Sequence, residues 1–277
     1  MLLTKKVKKM KKIWLDLEIV GDIDDALTLI FAIETNSNIK AVSLLNPSKE
    51  ELSFVRYWLD ISKKDITLFT HYDKKVKNKN ETHPLIMKYQ NEDYPVYTLN
   101  DVTDTKGYVV LGGGAYTIPN ILREKGFDNF VLQGGFAGTN VCKRTILEKF
   151  EGKDKCRSFN PNIDIKATRE MISSQVNIVF ISKDICHDSG INIDFVKTIN
   201  YRYTKEFLLQ YLNESTRYKM MHDLVAFLYI IDNTFIETTK VSLKEEKRQW
   251  FSKHSEFSKK EISIDWNKEK FLNLLRG

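Results

Sequence analysis

Most of the features that mark specialised proteins are missing from this sequence. No apolar run reaches the roughly 18 to 20 residues that cross a bilayer, so no membrane span is expected. No Gly/Ser/Pro-rich stretch divides the 277 residues, and one domain over 13–277 is expected behind a short basic leader, 1–12. Cysteine is scarce: Cys142, Cys156 and Cys186 are odd in number and widely spaced, which excludes a disulfide framework or a zinc site and leaves reduced thiols. No apolar segment or small-residue cleavage site follows the early lysines, so no signal peptide is read and a cytoplasmic location is expected. Charge of one sign is also lacking beyond the leader. The net charge of +6 is matched by Lys5, Lys6, Lys8, Lys9, Lys11 and Lys12 alone. The body is near neutral, so no nucleic-acid or membrane partner is expected; the lysine-rich leader could touch nucleic acid or an anionic membrane, and its plainer reading is a solvated charge run.

What is present is an alternation of apolar segments. Ile13 to Leu17 reads as a strand, Asp24 to Ile33 as a helix, Ile39 to Leu45 as a strand and Lys49 to Ile61 as a helix. Ile66–Thr70, Tyr108–Leu111, Asn129–Gln133 and Val176–Ser182 read as further buried strands, with helices before Glu124 and over Thr168–Ser174. Asp73 to Tyr97 is polar and without period, a long surface insertion. From Ile193 onward the pattern is mainly helical, most clearly over Tyr218–Ile231. The expected fold is α/β: an open, mostly parallel, Rossmann-like sheet covered by helices, with a mainly helical C-terminal part. Ligands then bind beyond the carboxyl ends of the strands.

The densest chemistry lies in Asp16-Leu-Glu18-Ile-Val-Gly21-Asp22-Ile-Asp24-Asp25, five carboxylates in ten residues between a strand and a helix. Such a group resists ionisation unless a cation compensates it, and oxygen-only ligation suits Ca²⁺ or Mg²⁺. The plainer alternative is that Asp24 and Asp25 cap the helix, although capping needs one or two acids. Far downstream, His222-Asp223 opens an apolar helical run, where an imidazole beside a carboxylate can pair a general acid with a metal ligand.

Taken together these segments resemble the nucleoside hydrolases, whose aspartate-rich first loop and late His-Asp helix build one Ca²⁺ and ribose site. Further matches follow in order: Leu45-Asn46, Leu111-Gly-Gly-Gly-Ala-Tyr-Thr117, Gln133-Gly-Gly-Phe136, then Phe159-Asn160 and Asp164. The resemblance spans residues 13 to 232. It implies Ca²⁺ held by Asp25, Asp223, the Gly113 carbonyl, Glu18 and Asp16, with Glu18 activating water. Asp24, assisted by Asn46, Asn160 and Asp223, would hold ribose hydroxyls, and His222 would stand near the leaving base. Gly113 contributes only its carbonyl, so its side chain is expected to be free to vary. The family's habit further implies a homodimer or homotetramer.

The match departs at named places. The first loop is longer than the common form and carries Glu18 where aspartate is usual. Asp22 is an additional acid, and either it or Glu18 can be ligand and base. Ser158 stands where a ribose-binding glutamate is common, replacing a charged contact with a weaker hydroxyl. Thr139–Arg157 looks inserted, which leaves a sugar role for Asn140 open. His187, after the sixth strand, is a second candidate acid, with a rim role the plainer reading. His71, His83 and His254 offer less, His83 alone having reach toward a pocket mouth. Two rival readings stand beside an N-riboside hydrolase: a homologue that binds a ribosyl ligand without turnover, and a haloacid dehalogenase-like phosphatase. The second needs aspartate at Glu18 and leaves His222-Asp223 without a use.

Overall fold

A computed structural model describes residues 11–19, 22–76, 81–142, 146–214 and 218–277. The lysines at 5, 6, 8 and 9, and Gly21 of the acidic loop, lie outside the described residues. Lys12 belongs to the first strand rather than to a leader.

Seven strands run in chain order as β1 (Lys12–Leu17), β2 (Ile39–Leu45), β3 (Thr67–His71), β4 (Val96–Thr98), β5 (Tyr108–Gly112), β6 (Asn129–Gln133) and β7 (Asn177–Ile181). A short pair, β8 (Ile191–Asn192) and β9 (Tyr218–Lys219), stands apart as its own antiparallel ribbon. The C-terminal strands are β10 (Ile236–Glu246), β11 (Gln249–His254) and β12 (Lys260–Trp266). Among the described residues the main sheet has ten strands in the order β11-β10-β12-β7-β6-β5-β1-β2-β3-β4. From β4 across to β12 every neighbouring pair is parallel, and β10 then pairs antiparallel with both β12 and β11. The first two crossovers step outward from β1 through β2 to β3, and the chain then returns to place β5 on the other side of β1. The order therefore reverses between β1 and β5, and the carboxyl ends of these two strands open a crevice there.

Helices cover both faces. They are α1 (Asp24–Glu34), α2 (Lys49–Ser62), α3 (Thr117–Glu124), α4 (Phe159–Ile163), α5 (Ile165–Ser173), α6 (Lys183–Cys186), α7 (Ile193–Lys197), α8 (Arg202–Glu214), α9 (His222–Ile231) and α10 (Lys268–Arg276). One apolar core, built on α1, α2, α8 and α9, joins Leu15, Leu29, Phe54, Phe207, Leu224 and Phe227 beneath one face. A second fills the other face around Trp14, Phe69, Phe127, Phe136 and Trp250. Because β1 lies mid-sheet, its side chains serve both cores and all five residues from Ile13 to Leu17 are buried. Among the described residues no helix is long and apolar enough to cross a membrane, and all three cysteines are free.

Three local expectations change. The segment over Asp73–Tyr97 is not merely a surface insertion. Leu85 and Ile86 are fully buried in the first core, and Val96–Thr98 completes the sheet edge as β4. Tyr218 and Lys219 are extended against β8, so the late helix begins only at His222. The C-terminal part contains, besides its helices, the hairpin β10–β11 and strand β12, whose polar, lysine-rich alternation carries little apolar period to read.

Candidate functional site

Strand β1 hands its chain to the crevice at Leu17, and α1 starts at Asp24, so the acidic loop lies directly over the switch point. The N-cap of α1 is Ile23, and no side chain caps this helix. Asp24 and Asp25 are therefore not spent as caps, which overturns the plainer alternative. Their negative charge nevertheless sits at the positive end of the α1 dipole. The second half of the site comes from α9, a helix wedged between α1 and the sheet, whose first two residues are His222 and Asp223. Ser189 fixes that start: its hydroxyl accepts from the Met221 amide at 2.9 Å and donates to the Cys186 carbonyl at 2.6 Å.

These elements enclose a cavity of about 260 Å³ lined by Glu18, Asp22, Asp24, Asp25 and Asp223 on its acidic side. Gly113, Asn160, Ser158 and Phe159 line it too, as do His222, His187, Lys183 and Gln133. Asp24, Asp25 and Asp223 each present one oxygen, the three lying within 4.8 Å of one another. Asp24 Oδ2, Asp25 Oδ1 and Asp223 Oδ1 are buried and have no hydrogen-bond partner. Burial, then Asp24 and Glu18, push the Asp25 carboxyl well up. Burial, then Asp25 and Asp24, do the same to Asp223. Glu18 is raised to about 7 by burial, Glu51 and Asp24. Unpartnered carboxylate oxygens in low dielectric are costly, and an oxygen cage of this kind is the donor set that a hard divalent cation takes.

Gly113 closes the cage. A Cβ built there would collide with Asp25 Oδ1 and reach within 2.9 Å of Asp223 Oδ1. The side chain at 113 is thus not free to vary: any substituent would fill the space between the two carboxylates. The Gly113 amide donates to the Asp16 carbonyl at 3.0 Å, and its own carbonyl accepts from Asn160, whose amide also reaches Gln133 Oε1.

A second acidic group, Asp22, Asp24 and His222, also converges, but it already has a cation. Lys219, on β9 and only 6% exposed along its side chain, pairs with Asp22 and lies 3.7 Å from Asp24 Oδ1. On its other side Asp24 Oδ2 stands 3.6 Å from His222 Nδ1. Burial would raise the Asp24 carboxyl, yet Lys219 and His222 outweigh it and hold this group well below the ordinary range. Asp24 is therefore ionised while its neighbours resist ionisation. Nothing in the sequence singles out Lys219, because a buried lysine has no pattern of its own.

Other expected residues lie elsewhere. Asp16 does not line the cavity; Ser43 donates to its carboxylate at 2.8 Å, and burial raises its pKa. Asn46 is also outside. It adopts a left-handed φ of 48° and ties down the loop after β3, donating to the Asp73 and Val76 carbonyls at 2.9 and 2.7 Å. Its amide is consumed by loop closure, so a ribose contact from Asn46 has no geometric basis. Ser158 does face the cavity, and its hydroxyl accepts from the Gly135 amide at 3.1 Å. Asn140 is exposed and bonds to the Asp154 carbonyl. Asp164 accepts from Thr117 and caps α5. His187 lies inside, its ring centroid 5.4 Å from that of His222. His71, His83 and His254 do not line the cavity, and His83 instead packs against Tyr211.

His222 has its pKa lowered by burial and by Lys219, Lys149 and Lys183, against the opposing pull of Asp24. Phe159, beside Asn160, lines the cavity yet is 68% exposed, an uncovered aromatic face at its mouth.

Comparison with known proteins adds the class. No protein-family model and no curated protein sequence matches the chain. Solved structures do. A purine-preferring ribonucleoside hydrolase from Gardnerella vaginalis superposes with a TM-score of 0.70 at 14% identity, covering 96% of this chain and 97% of that one. A plant nucleoside hydrolase gives 0.67 at 12% identity, with 96% and 98% covered. The type III effector XopQ, solved with adenosine diphosphate ribose, gives 0.67 at 11%, with 96% and 91% covered. The chain has the nucleoside hydrolase fold.

Proposed function

We propose that this protein is a divergent nucleoside hydrolase, a Ca²⁺-dependent enzyme that cleaves the N-glycosidic bond of a ribonucleoside or related N-riboside to base and ribose. The observation that carries this reading is the convergence of Asp25 and Asp223, with unpartnered buried oxygens, against Gly113. These residues fit a Ca²⁺, which Asp25, Asp223 and Glu18 would hold together with the Gly113 carbonyl. When bound, the ion supplies Lewis acidity toward a water and toward the sugar hydroxyls.

The chain's own groups divide the remaining work. Asp24, kept ionised by Lys219, accepts from ribose hydroxyls, and Asn160, its amide already given to Gly113 and Gln133, meets the sugar through its carbonyl oxygen. Glu18, a buried carboxylate beside the cage, takes a proton from the attacking water. Between Glu18 and Asp22 the geometry favours Glu18 as base, since the Asp22 carboxylate is taken up by Lys219. As the C1′–N bond breaks, positive charge grows on the sugar, and the carboxylates around it stabilise that charge. His222 faces the departing base and donates a hydrogen bond to it. A cytoplasmic location and assembly as a homodimer or homotetramer belong to the same proposal.

A second reading, ligand binding without turnover, is favoured by Ser158 in the sugar wall and by the likeness to an effector solved with adenosine diphosphate ribose. One assay separates them. Reducing-sugar release from inosine, uridine, adenosine, guanosine and cytidine in Ca²⁺ should be detectable and abolished by Asp24→Ala. Binding of these nucleosides without any released ribose would replace the first reading by the second.

A further inference from the structure

The cavity wall facing the acidic floor is basic, and the hydrolase reading uses only His222 from it. His187 and Lys183 line that wall as well. Lys149, contributed by the inserted stretch after β6, stands behind His187 with its Nζ 2.8 Å from His187 Nδ1. An ammonium only donates, so this contact makes Nδ1 the acceptor and leaves the imidazole proton on Nε2. Lys183 spends one of its three donors on the Arg157 carbonyl at 2.8 Å. Burial, then Lys149, His222 and Lys183, hold His187 down at about 4, and no carboxylate opposes them. The cavity is thus bipolar. Its acids gather where a sugar and a cation would sit and reach His222 through Asp24, 3.6 Å away; beyond His222, where the aglycone would leave, stand Lys183 and the Lys149–His187 pair.

Converging cations around an enclosed space attract an anion and resist a cation. A neutral base leaves this wall's donors without an acceptor of matching charge, whereas a ring carboxylate receives charge-assisted hydrogen bonds. Resting on the N-riboside hydrolase reading, we propose that the substrate's base carries an anionic substituent, a ring carboxylate, held by Lys183 and by the Lys149–His187 pair. The chemistry balances without an added reactant. Water gives its oxygen to C1′, the C1′–N electron pair stays on the base nitrogen, and the water proton passes to Glu18 and then to solvent. A pyridinium-type base leaves with that pair and needs no proton, so the wall has only to bind its carboxylate.

Nicotinate riboside and nicotinamide riboside differ only in carboxylate against carboxamide, and both are offered to the full chain in Ca²⁺. Preference is read as the ratio of kcat/KM where there is turnover and as the ratio of Kd by calorimetry where there is none. The expected result is a preference of tenfold or more for nicotinate riboside, the scale of one charge-assisted hydrogen bond. Lys183→Met, in the cavity lining, and Lys149→Met, behind His187, should each shrink that ratio. Equal handling of the two ribosides, or a ratio that survives both substitutions, overturns the inference while leaving the hydrolase reading standing. Preferential binding of nicotinate riboside with no turnover does the reverse. Nicotinamide mononucleotide is the third probe: a preference for its 5′-phosphate with none for the ring carboxylate also overturns the inference.

Discussion

Asp25 and Asp223 bring carboxylate oxygens within 4.8 Å of each other, although one opens the first helix and the other opens the ninth. Nothing in a folded protein holds two such groups together without cost unless charge is supplied between them. Lys219 supplies it to Asp22 and Asp24 but not to this pair. The asymmetry leads to the following expectations.

The metal-free protein should lose stability as pH rises. Glu18 at about 7 and the raised Asp25 and Asp223 bind protons more tightly folded than unfolded. Their stabilisation is present at low pH and is lost as pH climbs through the folded pKa. His187, lowered from 6.5 to about 4, acts in the opposite sense below 6.5, so the clear window runs from there to about pH 8. Melting curves in chelator should fall across it, and saturating Ca²⁺ should flatten the slope. At about 1,000 times its Kd the ion adds about 4 kcal/mol, a rise of roughly 10 °C. A slope unaltered by Ca²⁺ would speak against the cage.

Gly113→Ala should remove Ca²⁺-dependent stabilisation while the protein still folds, because its Cβ enters the gap between Asp25 and Asp223. Thermal shift with and without Ca²⁺ reads this directly. An alanine variant with full Ca²⁺ response would mean that the ion, if any, sits elsewhere.

Lys219→Met leaves Asp22 and Asp24 without their buried counter-charge. Removing one partner of a buried pair costs about 3 kcal/mol, and denaturant titration should show a loss of that order. Ribosyl substrates should also see a raised KM, since Asp24 loses the contact that orients it, and Lys219→Arg should recover part of both. Wild-type stability and KM in the methionine variant would show that the pairing is incidental.

His222→Ala should lower kcat for ribosides with poor leaving bases by about a hundredfold, the scale of one positioned donor. With 4-nitrophenyl riboside, whose leaving group needs no help, the loss should nearly vanish. Equal losses on both substrates would place His222 in sugar binding rather than at the base.

Much of this architecture is legible in the sequence, and the reasons differ by element. Strands β1, β2, β5, β6 and β7 are buried on both faces, so their continuous apolar runs stand out. Strands β10 and β11 form an antiparallel hairpin at the sheet edge, where alternation with lysine and glutamate hides the pattern. In the site, the carboxylates of the first loop are conspicuous because they cluster in sequence. Lys219 and Lys149 back two residues of the cavity lining, Asp22 and His187, from a two-residue strand and from an inserted loop, and only the folded chain places them there. Asn46 shows the converse: a residue at a strand end looks available to a ligand until its amide is found closing the next loop.

The most direct test adds Ca²⁺ stepwise to chelator-stripped protein while heat and ribose release are recorded together, with the best riboside as substrate. One ion should bind per chain, ribose release should rise in proportion to its binding, and Asp25→Asn and Asp223→Asn should each abolish both signals. Ribose release indifferent to Ca²⁺, or Ca²⁺ bound undiminished by both substitutions, would contradict the account at its centre.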